Sequence, residues 1–279
     1  MNLDALARPS GTFLMVAMDQ RESLRTMLRE RGKQAADDEV ERFKLAVARE
    51  LSPHASGFLI DKNHLRAVAP VVDHGLILAV DRLVQEPADV VEDTSLEEDL
   101  ELVPGIVALK LLVIWRDDER RGDRIQMSRR FVELARTHGL LSVLEPVVRV
   151  PDERREDAIV EAARELGAVR PSLYKCQVPL SGRGEPAEIT KRAERIDAAL
   201  EVPWVVLSQG VDPDDFPAAV EASCKGGASG MLAGRAVWTG TLAAEDPQTL
   251  LRAESVPRLQ QLAAIVDAHG RPWREKAGA

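Results

Sequence analysis

The sequence predicts an α/β fold built as one (β/α)₈ barrel, the TIM-barrel architecture. Its 279 residues, 45% of them hydrophobic, lie within the size range of a single barrel domain. About eight short runs rich in Val, Ile and Leu recur along the chain, as expected for parallel strands buried on both faces. Longer stretches with helical periodicity separate these runs. We therefore expect one domain over residues 1–279, with a flexible C-terminal tail from about residue 271.

The predicted strands follow one another at regular intervals. They are FLMVAMD from Phe13, GFLID from Gly57, LILAVD from Leu76, IVALKLLVIW from Ile106, LSVLEPVV from Leu141, SLYKCQ from Ser172, PWVVLSQG from Pro203 and SGMLAGRAVW from Ser229. A closed barrel of this type requires eight strands.

Helix-like segments lie between the strands, and several end in Gly, which is common at helix C-termini. They are DDEVERFKLAVARELS from Asp37, SRRFVELARTHG from Ser128, REDAIVEAARELG from Arg155, AEITKRAERIDAAL from Ala187, FPAAVEASCKGG from Phe216 and SVPRLQQLAAIVDAHG from Ser255. The acidic stretch 82–102 interrupts this rhythm between the third and fourth strands. We predict that it is a solvated loop with a short helix.

Composition excludes several classes of protein. The net charge of −9 argues against a nucleic-acid partner, because nucleic-acid binders concentrate positive charge on one face. No run approaches the roughly 20 apolar residues of a membrane span, and the N-terminus lacks a signal-peptide pattern. We therefore expect a cytoplasmic protein with no membrane partner. Cys176 and Cys224 are too few for a disulfide framework and are expected to be reduced.

Polar residues lie in or directly after most of the predicted strands, where the active site of a barrel is built. They are Asp19, Gln20, Arg21, Asp61, Lys62, Asp81, Lys110, Glu145, Lys175, Ser208, Gln209, Gly234 and Arg235. Because the C-terminal ends of all eight strands meet at one mouth, we expect these side chains to converge there.

Lys175 gives the sharpest indication of chemistry. It lies between Tyr174 and Cys176 in an apolar strand, where burial favours the neutral amine that attacks a carbonyl. Lys110 as a second cation and Glu145 as a proton shuttle would complete such a site. The alternatives are a lysine that extends its amine to solvent and a purely structural ion pair between Lys110 and Glu145.

Small residues at the ends of the last two strands predict a phosphate site. Ser208-Gln209-Gly210 and Ala233-Gly234-Arg235 offer backbone N–H groups and a guanidinium group to an anion. A metal-dependent reaction would instead need histidines at strand ends. No histidines are spaced as a ligand pair, so we expect neither a metal nor another cofactor; the five are His54, His64, His74, His138 and His269.

Six runs at the strand ends resemble the class I aldolases that include tagatose-bisphosphate aldolase and sulfofructosephosphate aldolase. They are AMDQRESLR, ALKLLVIWRDDE, LEPVVR, LYKCQVPLSGRG, PWVVLSQGVD and GASGMLAGRAVW, within a resemblance from about Ser10 to His269. The resemblance implies that Lys175 forms a Schiff base and that Glu145 is the acid/base group. It also implies that Lys110 and Asp19 surround the carbonyl and hydroxyl carbons of a sugar phosphate. The phosphate would be bound by Ser208, Gly210, Gly234 and Arg235.

The runs KLLVIWR and LAGRAVW are closer to the sulfofructosephosphate branch. That branch cleaves 6-deoxy-6-sulfofructose 1-phosphate to dihydroxyacetone phosphate and sulfolactaldehyde in sulfoquinovose catabolism. We expect Gln20 and Arg21, with Lys62 nearby, to bind the far end of the substrate. The alternative for Arg21 is an ion pair with a nearby carboxylate.

Three other functions remain open. They are a tagatose- or fructose-bisphosphate aldolase, a Schiff-base dehydratase on the same fold, and a non-catalytic regulator that binds a sugar phosphate. The resemblance also implies that the protein is a homo-oligomer.

Overall fold

The eight apolar runs form the strands of a closed parallel barrel, as predicted. The computed structural model describes residues 2–85 and 91–277. Its strands are β1 (Phe13–Met18), β2 (Gly57–Asp61), β3 (Leu76–Ala79), β4 (Asp81–Gln85), β5 (Val91–Leu96), β6 (Ile106–Trp115), β7 (Leu141–Val148), β8 (Leu173–Gln177), β9 (Trp204–Leu207) and β10 (Gly230–Ala233). Around the barrel the order is β1-β10-β9-β8-β7-β6-β3-β2, while β4 and β5 form a separate two-stranded sheet.

Helices cover the outside of the barrel. They are α1 (Glu22–Arg29), α2 (Asp37–Leu51), α3 (Leu65–Val68), α4 (Arg121–Thr137), α5 (Arg155–Gly167), α6 (Pro186–Ala199), α7 (Phe216–Lys225), α8 (Arg235–Trp238), α9 (Pro247–Leu250), α10 (Val256–His269) and α11 (Trp273–Ala277). Within residues 2–85 and 91–277, none of the helices combines the length and the apolar character that crossing a membrane requires.

The inside of the barrel changes from apolar to charged toward the mouth. One buried apolar cluster contains Ala17, Ala79, Ala108, Val143 and Leu173. Side chains along a strand alternate with a period of two, so the same strand faces next carry Asp19, Asp81, Lys110, Glu145 and Lys175. The register of the strands therefore brings the charged groups to one level above an apolar base.

The acidic stretch 82–102 corrects a prediction. Its described residues contain an antiparallel hairpin, in which Asp81 pairs with Leu96 and Val84 with Asp93, rather than a solvated loop with a short helix. Residues 86–90 lie outside the described part. Glu97 is buried and forms ion pairs with Lys62 and Arg82. The ion pairs with Lys62 and Arg82 compensate the charge of Glu97, whereas the sequence alone suggested that this carboxylate is solvated.

The C-terminal segment also differs from expectation. Instead of a flexible tail from about residue 271, it contains α11. Trp273 is only 6% exposed and joins the cluster that contains Leu3 and Leu6. Arg271 and Lys276 both form ion pairs with Asp197, at 2.9 Å. Burial of one large aromatic ring and two ion pairs attach this segment to the barrel.

Candidate active site

The mouth of the barrel contains a cleft lined by charged side chains from most of the barrel strands. Its polar lining includes nine side chains predicted from the sequence, which are Asp19, Gln20, Arg21, Asp81, Lys110, Glu145, Lys175, Gln209 and Arg235. Arg149 and Ser23 complete the polar lining. An apolar wall of Leu83, Val91, Leu112, Ile114 and Val147 faces them.

Glu145 lies between the two buried lysines of the cleft. The pairing of Val143 with Leu173 and of Leu144 with Tyr174 places Glu145 and Lys175 side by side on adjacent strands. The Lys175 Nζ atom is 2.9 Å from Glu145 Oε1, and the Lys110 Nζ atom is 2.9 Å from Glu145 Oε2. Glu145 Oε2 is buried, with the Lys110 ammonium beside it. One carboxylate is therefore in position to exchange a proton with Lys175 while it also contacts Lys110.

The geometry bears on both alternatives weighed for the lysines. Lys175 is only 3% exposed, so its amine stays in the barrel instead of reaching bulk solvent. The Lys110–Glu145 ion pair is present, but Glu145 is shared with Lys175. The pair therefore lies within the cleft and includes Lys175 through Glu145.

Lys110 is the centre of an ionic network. Its amine donates to Asp19 Oδ2 at 2.8 Å and to Asp81 Oδ1 at 3.0 Å, in addition to the contact with Glu145. Burial opposes the charged form, but the attraction of the three carboxylates raises the pKa of Lys110 well above its ordinary value. Burial likewise opposes ionisation of Asp19, yet Lys110 and Lys175 hold the pKa of Asp19 below its ordinary value. The network therefore keeps both groups charged.

Asp81 connects Arg21 to this network. Arg21 Nη1 donates to the Asp81 carbonyl oxygen at 2.8 Å and Arg21 Nη2 donates to Asp81 Oδ2 at 3.2 Å. The alternative of an ion pair between Arg21 and a carboxylate is therefore realised, with a carboxylate of the cleft itself. The sequence placed Asp81 at the mouth but indicated no role for it, because its partners are distant in the chain.

A second charged cluster lies behind the cleft. Lys44 of α2 is fully buried, forms an ion pair with Asp61 and donates to the Met18 carbonyl oxygen at 3.1 Å. His64 Nδ1 lies 2.9 Å from Asp61 Oδ1. Asp61 therefore points away from the mouth, contrary to prediction. Sequence analysis missed Lys44, although its place on the apolar face of α2 was a signal.

Lys62 does not line the cleft, contrary to the expectation that it lies near the substrate. The chain turns directly after β2, at Lys62–His64, and the Lys62 amine donates to Glu97 Oε2 at 2.7 Å. It lines a separate cavity beside the hairpin. The positive charge that it was expected to bring to the cleft is absent from there.

The predicted phosphate loops divide into lining and supporting residues. Gln209 and Arg235 line the cleft, whereas Ser208, Gly210 and Gly234 are not among its lining residues. A Cβ atom on Gly234 would lie 2.2 Å from the Ala17 carbonyl oxygen, so glycine here permits close packing against β1. The Ser208 hydroxyl accepts from the Ala236 N–H at 3.4 Å. These contacts hold the end of β10 against β1 and against the end of β9.

Arg149 is a cleft residue that sequence analysis did not single out. It follows β7, four residues after Glu145 and on the same strand face. Its Nε atom is buried without a hydrogen-bond partner among the described residues. Burial, and then the charges of Arg116, Arg155 and Arg235, lower its pKa. The available signal was its place within LEPVVR, directly after a strand.

The described residues contain no group of three or more His, Cys, Asp or Glu side chains arranged to hold a metal ion. The expectation of a reaction without metal remains a prediction, which chelation can test.

Comparison with known proteins gives consistent matches over almost the whole chain. The model of the DeoC/LacD family of aldolases matches residues 13–240. Tagatose 1,6-diphosphate aldolase 2 of Streptococcus mutans is 25% identical over 313 residues, covering 96% of this chain and 94% of the relative. Tagatose 1,6-diphosphate aldolase of Listeria monocytogenes is 24% identical over 321 residues, covering 99% and 94%.

Solved structures with the same fold are also found. Fructose-bisphosphate aldolase from Plasmodium falciparum has a TM-score of 0.71 at 12% identity, covering 96% of this chain and 93% of that one. An archaeal fructose-1,6-bisphosphate aldolase, with its catalytic Lys covalently bound to the carbinolamine intermediate, has a TM-score of 0.63 at 20% identity, covering 94% and 96%. At these identities the likeness establishes the barrel fold.

Proposed function

Because the chain belongs to the DeoC/LacD family of aldolases, we propose that it cleaves a ketose 1-phosphate through a Schiff base on Lys175. The observation that carries this proposal is the buried Lys175 amine, 2.9 Å from Glu145. A lysine amine that is shielded from water and next to a proton acceptor is the arrangement that carbonyl attack requires.

The reaction begins with proton transfer from the Lys175 ammonium to Glu145, which leaves a neutral amine. The amine attacks the C2 carbonyl, and the proton held by Glu145 returns to the C2 hydroxyl of the carbinolamine, which leaves as water. The resulting iminium withdraws electrons from C3. Glu145, again a carboxylate, then accepts the C4 hydroxyl proton, and the C3–C4 bond breaks.

The second half of the reaction releases both products. The C4 fragment leaves as an aldehyde, and Glu145 gives the proton taken from the C4 hydroxyl to C3 of the enamine on Lys175. Hydrolysis of the iminium then releases dihydroxyacetone phosphate and restores the amine. Proton transfers of this kind contribute about 10²- to 10⁴-fold in rate. Lys110 remains a cation throughout and, with Asp19, offers fixed charges around the reacting carbons.

We propose 6-deoxy-6-sulfofructose 1-phosphate as the substrate. Two observations support this choice: the resemblance of the runs KLLVIWR and LAGRAVW to the sulfofructosephosphate branch, and the limited positive charge near Gln20. A sulfonate carries one negative charge, whereas a phosphate carries about −1.5 to −2 at neutral pH. The predicted cations for the far end were Arg21 and Lys62. Lys62 lies outside the cleft, and Arg21 is already bonded to Asp81. The positive charge that remains at this end of the cleft matches a monoanionic sulfonate better than a dianionic phosphate.

A tagatose or fructose bisphosphate is the second candidate, favoured by the names of the sequence relatives. Parallel assays with the sulfosugar phosphate and with both bisphosphates separate the two. We expect the larger kcat/KM for the sulfosugar phosphate, and a larger value for either bisphosphate would replace the proposed substrate. A regulator would bind these ligands without turnover, and a dehydratase would release water without cleaving the C3–C4 bond.

A further inference from the structure

We infer that Arg149 is a second phosphate-binding residue, which binds the C1 phosphate of the substrate together with Arg235. This inference rests on the proposed function and adds to it a residue outside the two predicted phosphate loops. The ligand class is a phosphate monoester, with inorganic phosphate as its simplest form.

Two arginines of the cleft lack a counter-ion among the described residues. Arg21 is bonded to Asp81, but neither Arg149 nor Arg235 forms an ion pair with another residue in 2–85 or 91–277. Both side chains are partly buried. Burial lowers the pKa of each guanidinium, and repulsion by Arg116, Arg155 and Arg235 lowers that of Arg149 further. Glu92 attracts Arg149, and Glu145 and Asp19 attract Arg235, but from beyond ion-pair distance. Two partly desolvated like charges with no direct counter-ion favour an anion between them.

The position of Arg149 places it beside the predicted phosphate loop. Arg149 and Gln209 together line the catalytic cleft, and both also line an adjoining cavity of about 460 Å³ at the ends of β7, β8 and β9. Arg149 therefore borders the same two cavities as Gln209, which lies in the predicted phosphate loop after β9. Lys175 lies on β8, between these two strands.

The chemistry of the substrate favours the same side. C1 is bonded directly to C2, the atom that Lys175 attacks, so the C1 phosphate must lie close to β8. Arg149, Gln209 and Arg235 line the same cleft as Lys175. A phosphate that carries close to two negative charges would be matched by two guanidinium groups, each able to donate to two oxygens.

The test compares trapping of two ketones by borohydride, dihydroxyacetone phosphate and dihydroxyacetone, which differ only in the phosphate. For Arg149→Met, we expect trapping of subsaturating dihydroxyacetone phosphate to fall about 10- to 100-fold, as for loss of a hydrogen bond to a charged group. Trapping of dihydroxyacetone should be unchanged. Arg183→Met is the matched control, because this exposed arginine lines only the adjoining cavity, and it should leave both rates unchanged.

Other outcomes would overturn the inference. If Arg149→Met lost trapping of both ketones equally, Arg149 would be a residue that organises the site. If Arg149→Met trapped both ketones at the rates of the wild type, Arg149 would contact no phosphate of dihydroxyacetone phosphate. Normal trapping of both, with a raised KM for the intact ketose phosphate, would place Arg149 at the other end of the substrate.

Binding of inorganic phosphate by calorimetry separates this inference from the proposed function. We expect Arg149→Met to weaken that binding by the same factor, with Arg149→Lys in between, after thermal melts show that both variants are folded. If the wild type traps neither ketone, the Schiff-base proposal fails, yet phosphate affinity still decides the role of Arg149. Unchanged phosphate affinity in Arg149→Met would refute that role.

Discussion

The two sides of the barrel mouth differ in how their charges are satisfied. On the paired side, Asp19, Arg21, Asp81 and Lys110 form ion pairs with one another. On the open side, Arg149 and Arg235 flank Gln209 without an ion-pair partner among the described residues. Lys175 and Glu145 lie between the two sides. The ion pairs of the paired side form without a substrate, as electrostatic preorganisation requires. For the open side, we propose that the substrate phosphate supplies the counter-charge.

The largest effect is expected where the two sides meet, at Lys175. Lys175→Met should abolish turnover, because no amine remains at this position to form the imine. For the same reason, borohydride reduction in the presence of dihydroxyacetone phosphate should no longer add mass to the protein. Mass spectrometry of wild-type peptides provides the check, with the added mass on the peptide that contains Lys175. A label on Lys110 instead would reverse the roles of the two lysines.

Removing the shared carboxylate should have the next largest effect. In Glu145→Gln the amide cannot accept the C4 hydroxyl proton, so kcat should fall by about 10²- to 10⁴-fold. Formation of the imine with dihydroxyacetone phosphate should also slow, because Lys175 loses its proton acceptor. Single-turnover measurements of cleavage and of borohydride trapping test this. A variant with wild-type kcat would leave Glu145 without an acid/base role.

The cluster behind the paired side should affect stability more than chemistry. Lys44→Met leaves Asp61 as a buried carboxylate without its lysine, and we expect the free energy of unfolding to fall by about 3–5 kcal/mol. Lys44→Met with Asp61→Leu removes both charges and should recover most of that loss. Denaturant titration compares the two variants. Equal instability of both would show that packing, and not the unpaired charge, is responsible.

A smaller effect is expected at Arg21, the paired arginine. Arg21→Ala should weaken kcat/KM for the sulfosugar phosphate by about 1.5–3 kcal/mol, while binding of dihydroxyacetone phosphate changes little. Steady-state kinetics and calorimetry measure the two quantities. Equal losses for both ligands would mean that the Arg21–Asp81 contact organises the whole mouth. Unchanged kinetics would place the sulfonate elsewhere.

No effect is expected from chelation. Because the iminium on Lys175 withdraws electrons from the bond that breaks, activity should survive EDTA at concentrations that remove divalent ions. Turnover before and after dialysis against EDTA is the measurement. Loss of activity that zinc restores would assign the protein to the metal-dependent aldolases.

The sequence alone was enough to predict the strands of the barrel and the position of the charged groups at its mouth. The apolar runs predicted the strands because a strand buried on both faces needs a continuous apolar segment. Lys175 stood out because burying a lysine in such a segment costs free energy, which a reactive amine justifies. Asp19, Lys110 and Glu145 could be placed at the mouth because parallel strands all end on the same side.

Only the tertiary structure decided which charges are paired. Arg21 and Asp81 are 60 residues apart, and Lys62 and Glu97 are 35 apart, so no local pattern predicts either contact. Lys44 lies on helix α2 and contacts Met18 and Asp61 of the barrel. Arg21 has an ion-pair partner, whereas Arg149 has none among the described residues. Strand periodicity reflects neighbouring residues along the chain. Ion pairing depends instead on distances of a few ångströms between distant segments, which exist only once the barrel has closed.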